Sequence, residues 1–362
     1  MRNNNHLYAV LMAGGTGTRF WPVSTTRKPK QFLDILGVGK TLIQLTYERL
    51  LKICPKENII IVTHERYKEV VSEQLPEVLP ENILYEPLKK NTAPCIAYAN
   101  AVIKNINPDA TVIVSPSDHL ILKEEEYINT LKIAVRQAET AQCLVTLGIK
   151  PTRPDTGYGY IQFNPDSEGV APNVKKVKTF TEKPDKELAK QFLQSGDFYW
   201  NSGIFIWTLK AIEDAFKKYD PHTYSYFSEL HERINEVDLI KHIYSEVKNN
   251  SIDFAVMEKA EDVCVVLSDF GWSDLGTWGA LYEVSSKDDN QNVVIAKHVH
   301  LFESRKNIVF SQKTDKVVVI SGLENFIVVD TPKALLICDK KNEQKIKNYV
   351  TTVRLEDGTE FV

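Results

Sequence analysis

The chain has 362 residues, of which 43% are hydrophobic and 25% charged, proportions typical of globular proteins and not of disordered or fibrous ones. A formal net charge of −4 gives no reason to expect a nucleic-acid partner. The five cysteines form no CxxC pair, and no apolar run reaches the ~20 residues of a membrane span. We therefore expect a cytoplasmic protein with reduced thiols and without a zinc site, a disulfide framework or a membrane segment.

Apolar runs of strand length alternate with helical patterns through residues 1–285. This alternation predicts a Rossmann-like α/β domain, in which helices flank a mostly parallel sheet and ligands bind at the carboxyl ends of the strands. The apolar runs are Leu7–Met12, Ile59–Thr63, Thr111–Ser115, Leu144–Ile149 and Val263–Ser268, and the helical patterns include Thr41–Lys52, Ala93–Lys104 and Glu126–Thr140.

Residues 286–362 have a different character, because short β patterns follow one another with few helical ones. We predict a small all-β module, either a solenoid or a sandwich, that ends in a helix. The β patterns are Val293–Ala296, Ile308–Ser311, Val317–Ile320, Phe326–Val329 and Ala334–Cys338, and the helical pattern is Lys341–Val353. The predicted division is thus a catalytic domain, 1–285, and a β module, 286–362.

The first strand leads into Ala13-Gly14-Gly15-Thr16-Gly17-Thr18-Arg19. Glycines this close together let the backbone curl and present its N–H groups to an anion. A P-loop would need Gly-Lys-Ser/Thr after the glycines, and a dinucleotide fingerprint would need glycine at position 20, which is Phe20. Both loops are excluded, and a nicotinamide dehydrogenase with them. The basic residues that follow (Arg19, Arg27, Lys28 and Lys30) suit the charge of a triphosphate.

Two aspartates from distant parts of the chain are candidate metal ligands. Asp118 follows the run Thr111–Ser115, and Asp274 follows Val263–Ser268, so both lie at the same sheet edge if the second strand is parallel. Two carboxylates beside a triphosphate suit Mg²⁺, which prefers oxygen ligands. A turn or helix cap is the alternative role for Asp118. His119 is expected to be structural, because magnesium disfavours nitrogen.

A third group of residues has the chemistry to bind a sugar phosphate. Gly159 leaves room beside the backbone for a sugar, and a glycine-rich hairpin is the alternative explanation. Glu182 can accept hydrogen bonds from two vicinal hydroxyls, and Lys183 can reach a phosphate as a point charge. Asn201 offers both a donor and an acceptor to a hydroxyl.

These features occur within a series of motifs that resembles the sugar-1-phosphate nucleotidyltransferases, and within them the branch that transfers guanylate to mannose 1-phosphate. The series covers essentially the whole α/β portion, with Phe20 as a mild departure from the commoner leucine. It comprises Gly14–Pro22, Pro29–Leu33, Glu86-Pro87 with Asn91–Pro94, Pro116–His119, Thr156–Ile161, Glu182–Asp185, Trp200–Gly203, Ser251–Asp253 with Val256–Lys259, and Gly271–Gly276.

The resemblance implies a GT-A-like catalytic domain, a left-handed β-helix-like module with a role in homo-oligomer (dimer) contacts, and the substrates GTP and mannose 1-phosphate. It also implies roles for named residues: catalysis by Arg19 and Lys30, Mg²⁺ binding by Asp118 and Asp274, nucleotide binding by Ala13, Gly14, Gly15, Gly17, Glu86, Asn91, Thr92 and Ser117, and sugar-phosphate binding by Gly159, Glu182, Lys183 and Asn201. Phosphomannose isomerase activity is not expected, since the sequence stops before any cupin-like domain.

A sugar 1-phosphate is ionised near neutral pH, so the reaction needs no general base. We expect in-line attack on the α-phosphorus of GTP, helped by positioning and charge neutralisation, with diphosphate as the leaving group. The alternatives left open are a guanylyltransferase for another sugar 1-phosphate, such as a heptose, and a catalytically silent sensor of nucleotide sugars. Retention of both aspartates speaks against the sensor.

Overall fold

The computed structural model describes residues 6–15, 17–230, 233–312 and 315–362. Within these ranges the strands, in chain order, are β1 (Leu7–Ala13), β2 (Ile59–His64), β3 (Ile83–Glu86), β4 (Thr111–Pro116), β5 (Leu120–Ile121), β6 (Leu144–Ile149), β7 (Gly159–Phe163), β8 (Val174–Glu182), β9 (Phe198–Thr208), β10 (Val263–Ser268), β11 (Trp272–Ser273), β12 (Val293–Ile295), β13 (Val299–Phe302), β14 (Ile308–Ser311), β15 (Val318–Ser321), β16 (Phe326–Asp330) and β17 (Leu335–Asp339).

The α-helices of the same ranges are α1 (Leu42–Leu50), α2 (Lys68–Gln74), α3 (Thr92–Ile106), α4 (Glu124–Ala141), α5 (Lys186–Ser195), α6 (Leu209–Tyr219), α7 (Pro221–Ser228), α8 (Val237–Glu246), α9 (Trp278–Val284) and α10 (Ile346–Glu356). A π-helical turn spans Asp253–Met257. None of the helices in the described ranges combines the length and the apolar character needed to cross a bilayer.

The chain forms two compact units, which do not follow its linear order. The first consists of the chain up to Gly14, Tyr47–Ser117 and Ile121–Trp272, and the second of Gly15–Thr46, Asp118–Leu120 and Ser273–Val362. The basic segment after the glycines therefore belongs to the same unit as the C-terminal strands.

The first unit is built on a nine-stranded sheet in the order β3-β2-β1-β4-β9-β6-β10-β8-β7. β9 is antiparallel to both of its neighbours, β4 and β6, and β8 is antiparallel to β10 and β7. The other seven of these described strands share one direction, since β1 is parallel to β2 and β4, β2 to β3, and β10 to β6. The predicted mostly parallel α/β sheet is confirmed.

The centre of this sheet is buried on both faces, which explains the continuous apolar runs. Ala9, Val10 and Leu11 of β1 are fully buried. Helix α3 packs on the same core with small side chains such as Ala93 and Ala99, which allow it to approach the sheet closely.

The C-terminal β module stacks its strands in parallel, as a solenoid does. Val299 of β13 is in register with Val318 of β15, and Ile308 of β14 with Ile327 of β16, so equivalent positions recur after 19 residues in both cases. A sandwich would pair such strands antiparallel. Of the two predicted architectures, the solenoid is therefore the one observed, and β17 closes it as an antiparallel edge strand.

The segment between the glycines and α1 is ordered and anchored in the core of the second unit. Phe20 is fully buried, and its ring lies 4.9 Å from that of Trp278, which in turn lies 5.7 Å from the ring of Phe310 in β14. Leu33 and Ile35 belong to the same apolar cluster. The order of this segment has a physical basis, because its aromatic and aliphatic side chains form part of a core.

Candidate active site

Lys30 connects the two predicted metal ligands within the second unit. Its side chain is 7% exposed, and its Nζ lies 3.0 Å from Oδ2 of Asp118. The same ammonium donates to the main-chain oxygens of Asp274 and Leu275, at 2.6 and 3.1 Å. Lys30 therefore contacts the side chain of Asp118 and the main chain of Asp274 at the same time.

The electrostatic setting keeps Asp118 ionised. Burial alone would raise the pKa of this carboxyl, but the charges of Lys30 and His119 and a hydrogen bond from Lys30 outweigh burial and leave its pKa below the ordinary value. His119 Nε2 lies 3.9 Å from Oδ1 of Asp118. In the Asp274 loop, the carboxylate Oδ1 accepts a hydrogen bond from the N–H of Gly276 at 2.9 Å. Both aspartates thus present oxygen ligands of the type that divalent cations prefer.

Gly17 of the loop is required by its backbone conformation and by a close contact. Gly17 has φ +55°, and a side-chain carbon there would lie 2.6 Å from Cβ of Lys30, closer than atoms can approach. Gly15 accepts a hydrogen bond at its carbonyl from the buried Gln31 at 3.0 Å. Arg19 lies in a single 3₁₀ turn, Thr18–Phe20. Its Nε is buried and has no hydrogen-bond partner within the described part of the chain. Thr16 lies outside the described residues.

In the first unit, Gly14 and Glu86 form the predicted nucleotide group. A side-chain carbon at Gly14 would lie 3.6 Å from Oε2 of Glu86. Glu86 is 6% exposed, and its Oε1 accepts a hydrogen bond from the hydroxyl of Tyr244 at 3.1 Å. Burial raises the pKa of Glu86 to about 7, against smaller lowering effects of Tyr244 and Lys89.

The other predicted nucleotide ligands have clear local structural roles. Asn91 has φ 71° and caps helix α3, its Oδ1 accepting from the N–H of Thr92 at 2.9 Å. Thr92 Oγ1 accepts from the N–H of Ile252 at 2.9 Å. Ser117 is buried, and its N–H donates to the carbonyl of Met12 at 3.0 Å. The carbonyl of Ala13 accepts from the hydroxyl of Thr63 at 2.9 Å. These contacts hold the loops and do not by themselves reveal a ligand.

The predicted sugar-phosphate residues lie together in the first unit. Gly159 pairs with Glu182 across β7 and β8, and a side-chain carbon at Gly159 would lie 2.5 Å from Oε2 of Glu182 and 3.4 Å from Cβ of Asn201. Lys183 has φ 48° and forms an ion pair with Glu182. A larger residue at position 159 would therefore displace the Glu182 carboxylate from its present place.

Asp253 is a neighbour of this group to which the sequence analysis gave no role. Its Oδ1 accepts a hydrogen bond from Nδ2 of Asn201 at 2.7 Å. Asp253 belongs to the motif Ser251–Asp253, so its position was visible in the sequence. Its contact was not, because 52 residues separate it from Asn201.

Comparison with known proteins gives matches along nearly the whole chain. Residues 8–291 match the nucleotidyl transferase family, and residues 296–353 match the MannoseP isomerase/GMP-like beta-helix domain. The alginate biosynthesis protein AlgA of Pseudomonas putida is 38% identical over 360 residues, covering 97% of this chain and 72% of that protein. The mannose-1-phosphate guanylyltransferase of Klebsiella pneumoniae is 36% identical over 365 residues, covering 98% and 75%.

A crystal structure from Thermus thermophilus, described as a mannose-1-phosphate geranyltransferase, superposes with a TM-score of 0.87 at 30% identity and covers 96% of this chain and 99% of that one. Nucleotidyltransferases commonly use a divalent metal. The family match, the full-length relatives and the superposition agree with one another. The chain belongs to the nucleotidyl transferase family, as an enzyme with a C-terminal β-helix domain.

Proposed function

We propose that the chain transfers guanylate from GTP to α-D-mannose 1-phosphate, giving GDP-mannose and diphosphate. The observation that carries the choice of base is the buried carboxylate of Glu86 beside Gly14. Guanine presents two adjacent donors, N1–H and the N2 amino group, which a carboxylate can accept together; adenine, uracil and cytosine do not present such a pair. The choice of sugar is supported by relatives such as the Klebsiella pneumoniae enzyme, whose name states that it acts on mannose 1-phosphate.

The residues of the chain can carry out this reaction without a general base. Lys183, exposed on a left-handed turn, anchors the phosphate of the incoming sugar. Arg19 neutralises the charge that develops on the departing diphosphate, as the buried and unpartnered Nε in the described structure allows. The sugar phosphate oxygen attacks the α-phosphorus, the bond to the bridging oxygen breaks, and diphosphate leaves.

Lys30 has a more structural part in this proposal than the sequence suggested. Its ammonium is directed at Asp118 and at two main-chain oxygens, which account for its three donors. It can reach a phosphate only by exchanging one of these contacts. We propose that it holds the Asp118 and Asp274 loops in position and adds positive charge beside the β- and γ-phosphates.

Asp118 and Asp274 would hold a Mg²⁺ ion. Both offer oxygen ligands, and the lowered pKa of Asp118 favours the ionised form that a cation needs. When bound, Mg²⁺ supplies positive charge to the phosphate oxygens.

The proposal also includes a functional division near residue 285 and a cytoplasmic location. It further includes a homodimer formed through the β module, where Phe302 and Val319 are 57% and 62% exposed.

The proposal is tested by measuring diphosphate release with each common nucleoside triphosphate against mannose, glucose and heptose 1-phosphates, with and without Mg²⁺. We expect the highest kcat/KM for GTP with mannose 1-phosphate, and no turnover after chelation. A preferred heptose would replace the sugar and keep the reaction class, whereas no turnover with any pair would indicate the silent sensor.

The role of Glu86 is tested with inosine triphosphate, which lacks the N2 amino group. The wild-type protein should prefer GTP over ITP, and Glu86→Gln should lose most of that preference, because an amide accepts only one of the two hydrogen bonds. An unchanged GTP to ITP ratio in the variant would remove Glu86 from base recognition.

A further inference from the structure

The carboxamide of Asn201 is held in one orientation by the protein. Its Oδ1 accepts a hydrogen bond from the N–H of Gly203 at 3.2 Å and lies 3.1 Å from the hydroxyl of Thr146, whose one proton has the carbonyl of Ile204 at 3.2 Å as a second acceptor. Its Nδ2 donates to Asp253 at 2.7 Å. The second N–H of Nδ2 has no acceptor within the described ranges. Asn201 can therefore offer this N–H to a ligand.

An ionised carboxylate at Asp253 is energetically unfavourable, because the group is buried and has like charges near it. Glu182 and Glu258 are like charges close to it, and Lys183 is the cation that opposes them. Burial and the charge of Glu182 together raise the pKa of Asp253 to about 6. A neutral side chain would avoid this cost. A carboxylate has one property that a neutral amide lacks, since it can only accept hydrogen bonds and so allows only one orientation of its Asn201 partner.

We propose that Asp253 is the positioning residue of the sugar subsite, which fixes Asn201 so that its remaining N–H donates to a hydroxyl oxygen of the sugar phosphate. This inference rests on the proposed function. It assigns the recognition chemistry of the subsite: Asn201 donates, and the Glu182 carboxylate accepts. In Asp253→Asn, the new amide can donate or accept, so it no longer requires the N–H side of Asn201 to face it, and only the N–H of Gly203 still opposes a flip of Asn201.

The first test compares Asp253→Asn with the wild-type protein by steady-state kinetics and by calorimetric titration with mannose 1-phosphate. We expect KM and Kd for the sugar phosphate to rise about tenfold, the loss expected for one hydrogen bond, while KM for GTP stays within about twofold. The control is Asp262→Asn, a carboxylate of the same unit that is 85% exposed, for which neither constant should change.

A second variant separates positioning from simple stability. In the double variant Asn201→Asp with Asp253→Asn, the pair can hydrogen-bond with donor and acceptor exchanged, and Thr146 and Gly203 can still donate to residue 201. The melting temperature should therefore return towards the wild-type value. Sugar-phosphate binding should remain weak, since residue 201 no longer has an N–H to offer.

The outcomes discriminate between the possible failures. Unchanged sugar-phosphate constants in Asp253→Asn, an equal rise in KM for GTP, or recovery of sugar binding in the double variant would each overturn the positioning role. A wild-type protein that binds mannose 1-phosphate but transfers no guanylate would contradict the proposed function alone, and the titrations would still decide the role of Asp253. No binding of any sugar phosphate by the wild-type protein would contradict both.

Discussion

The basic residues that follow the glycines differ in burial, and this decides which of them can act in catalysis. Arg27 and Lys28 are exposed, whereas Lys30 is buried and Arg19 is half-buried, with a buried Nε that has no hydrogen-bond partner among the described residues. A desolvated guanidinium interacts more strongly with a phosphate than one in water does. The sequence alone could not distinguish the four cations, because burial depends on the packing of Phe20 and its neighbours.

Arg19→Ala should therefore lower kcat by roughly 100- to 1,000-fold, by analogy with the loss of one oxyanion-hole donor. Arg27→Ala is the matched control, and its kcat should stay near the wild-type value. The measurement is diphosphate release at saturating GTP and mannose 1-phosphate. Similar losses of kcat in the two variants would mean that the basic residues act through their summed positive charge and not through a contact of Arg19. A near-normal kcat for Arg19→Ala would remove its role in the departure of diphosphate.

Glu86 shows how a functional carboxylate can reduce stability. Its pKa in the folded protein is about 7 instead of 4.5, because the group is buried, so the folded state binds the proton more tightly than the unfolded state does. Ionisation of Glu86 therefore lowers the free energy of unfolding as pH rises from about 4.5 through about 7.

Glu86→Gln removes this penalty, since its amide does not ionise and its oxygen can still accept from Tyr244. We expect the variant to be more stable than the wild-type protein by up to about 3 kcal/mol near pH 8.5, with the difference vanishing near pH 4. Urea unfolding at both pH values measures it. The same difference at both pH values would show that ionisation is not its cause.

At the scale of elements, the strands that sequence predicts well are those covered on both faces. β1, β2, β4, β6 and β10 all coincide with apolar runs to within a residue. β9, which no pattern indicated, is the longest strand of the sheet, yet its centre is Asn201-Ser202-Gly203, a set of turn-forming residues. Pairing with β4 and β6 overrides these local preferences, and this is how Asn201 comes to lie beside Thr146.

The candidate site, too, could be predicted only in part, because some of its contacts depend on tertiary packing. The candidate metal ligands and the candidate sugar-phosphate residues could be named from motifs in the sequence. The contacts of Lys30 with Asp274 and of Asn201 with Asp253 join residues 244 and 52 positions apart. Such contacts depend on side-chain packing across elements, which spacing along the chain does not encode.

The β module depends on buried asparagines that link its coils. Asn307 is fully buried; its Nδ2 donates to Oδ1 of Asn292 and to the carbonyl of Leu323, at 3.1 and 2.8 Å, and its Oδ1 accepts from the N–H of Phe326 at 2.8 Å. Asn307→Ala leaves the last two main-chain groups without these partners. We expect a loss of about 2–4 kcal/mol in the free energy of unfolding.

Urea unfolding measures this loss, and Asn348→Ala serves as control, because Asn348 is exposed on helix α10 and alanine suits a helix. If Asn307→Ala were as stable as the control, water would have to satisfy the exposed main-chain groups, and the asparagine stack would not be what holds the coils.

At the scale of the molecule, the C-terminal residues and the loop after the glycines are parts of one core, although they lie at opposite ends of the chain. The indole Nε1 of Trp21 donates to the carbonyl of Phe361 at 2.8 Å. Val350 of α10 and Val362 belong to the same apolar cluster as Phe20 and Trp21. The second unit therefore links the order of the proposed triphosphate-binding loop to the integrity of the C-terminal helix.

A variant that ends at Gly358 should consequently bind GTP more weakly, because the loop loses an anchor and must be ordered on binding. We expect KM for GTP to rise about fivefold, corresponding to ~1 kcal/mol, with a smaller rise for Trp21→Phe, which removes the N–H and part of the ring and leaves the C-terminal residues in place. Leu355→Ala is the control, since this side chain is 80% exposed. If truncation lowered the melting temperature but left KM for GTP unchanged, the C-terminal contacts would stabilise the fold without ordering the loop. The supporting result is a rise in KM for GTP in the truncated variant and a smaller rise in Trp21→Phe, with KM for mannose 1-phosphate unchanged in both variants. It would show that the C-terminal contacts affect binding of the nucleotide and not of the sugar phosphate.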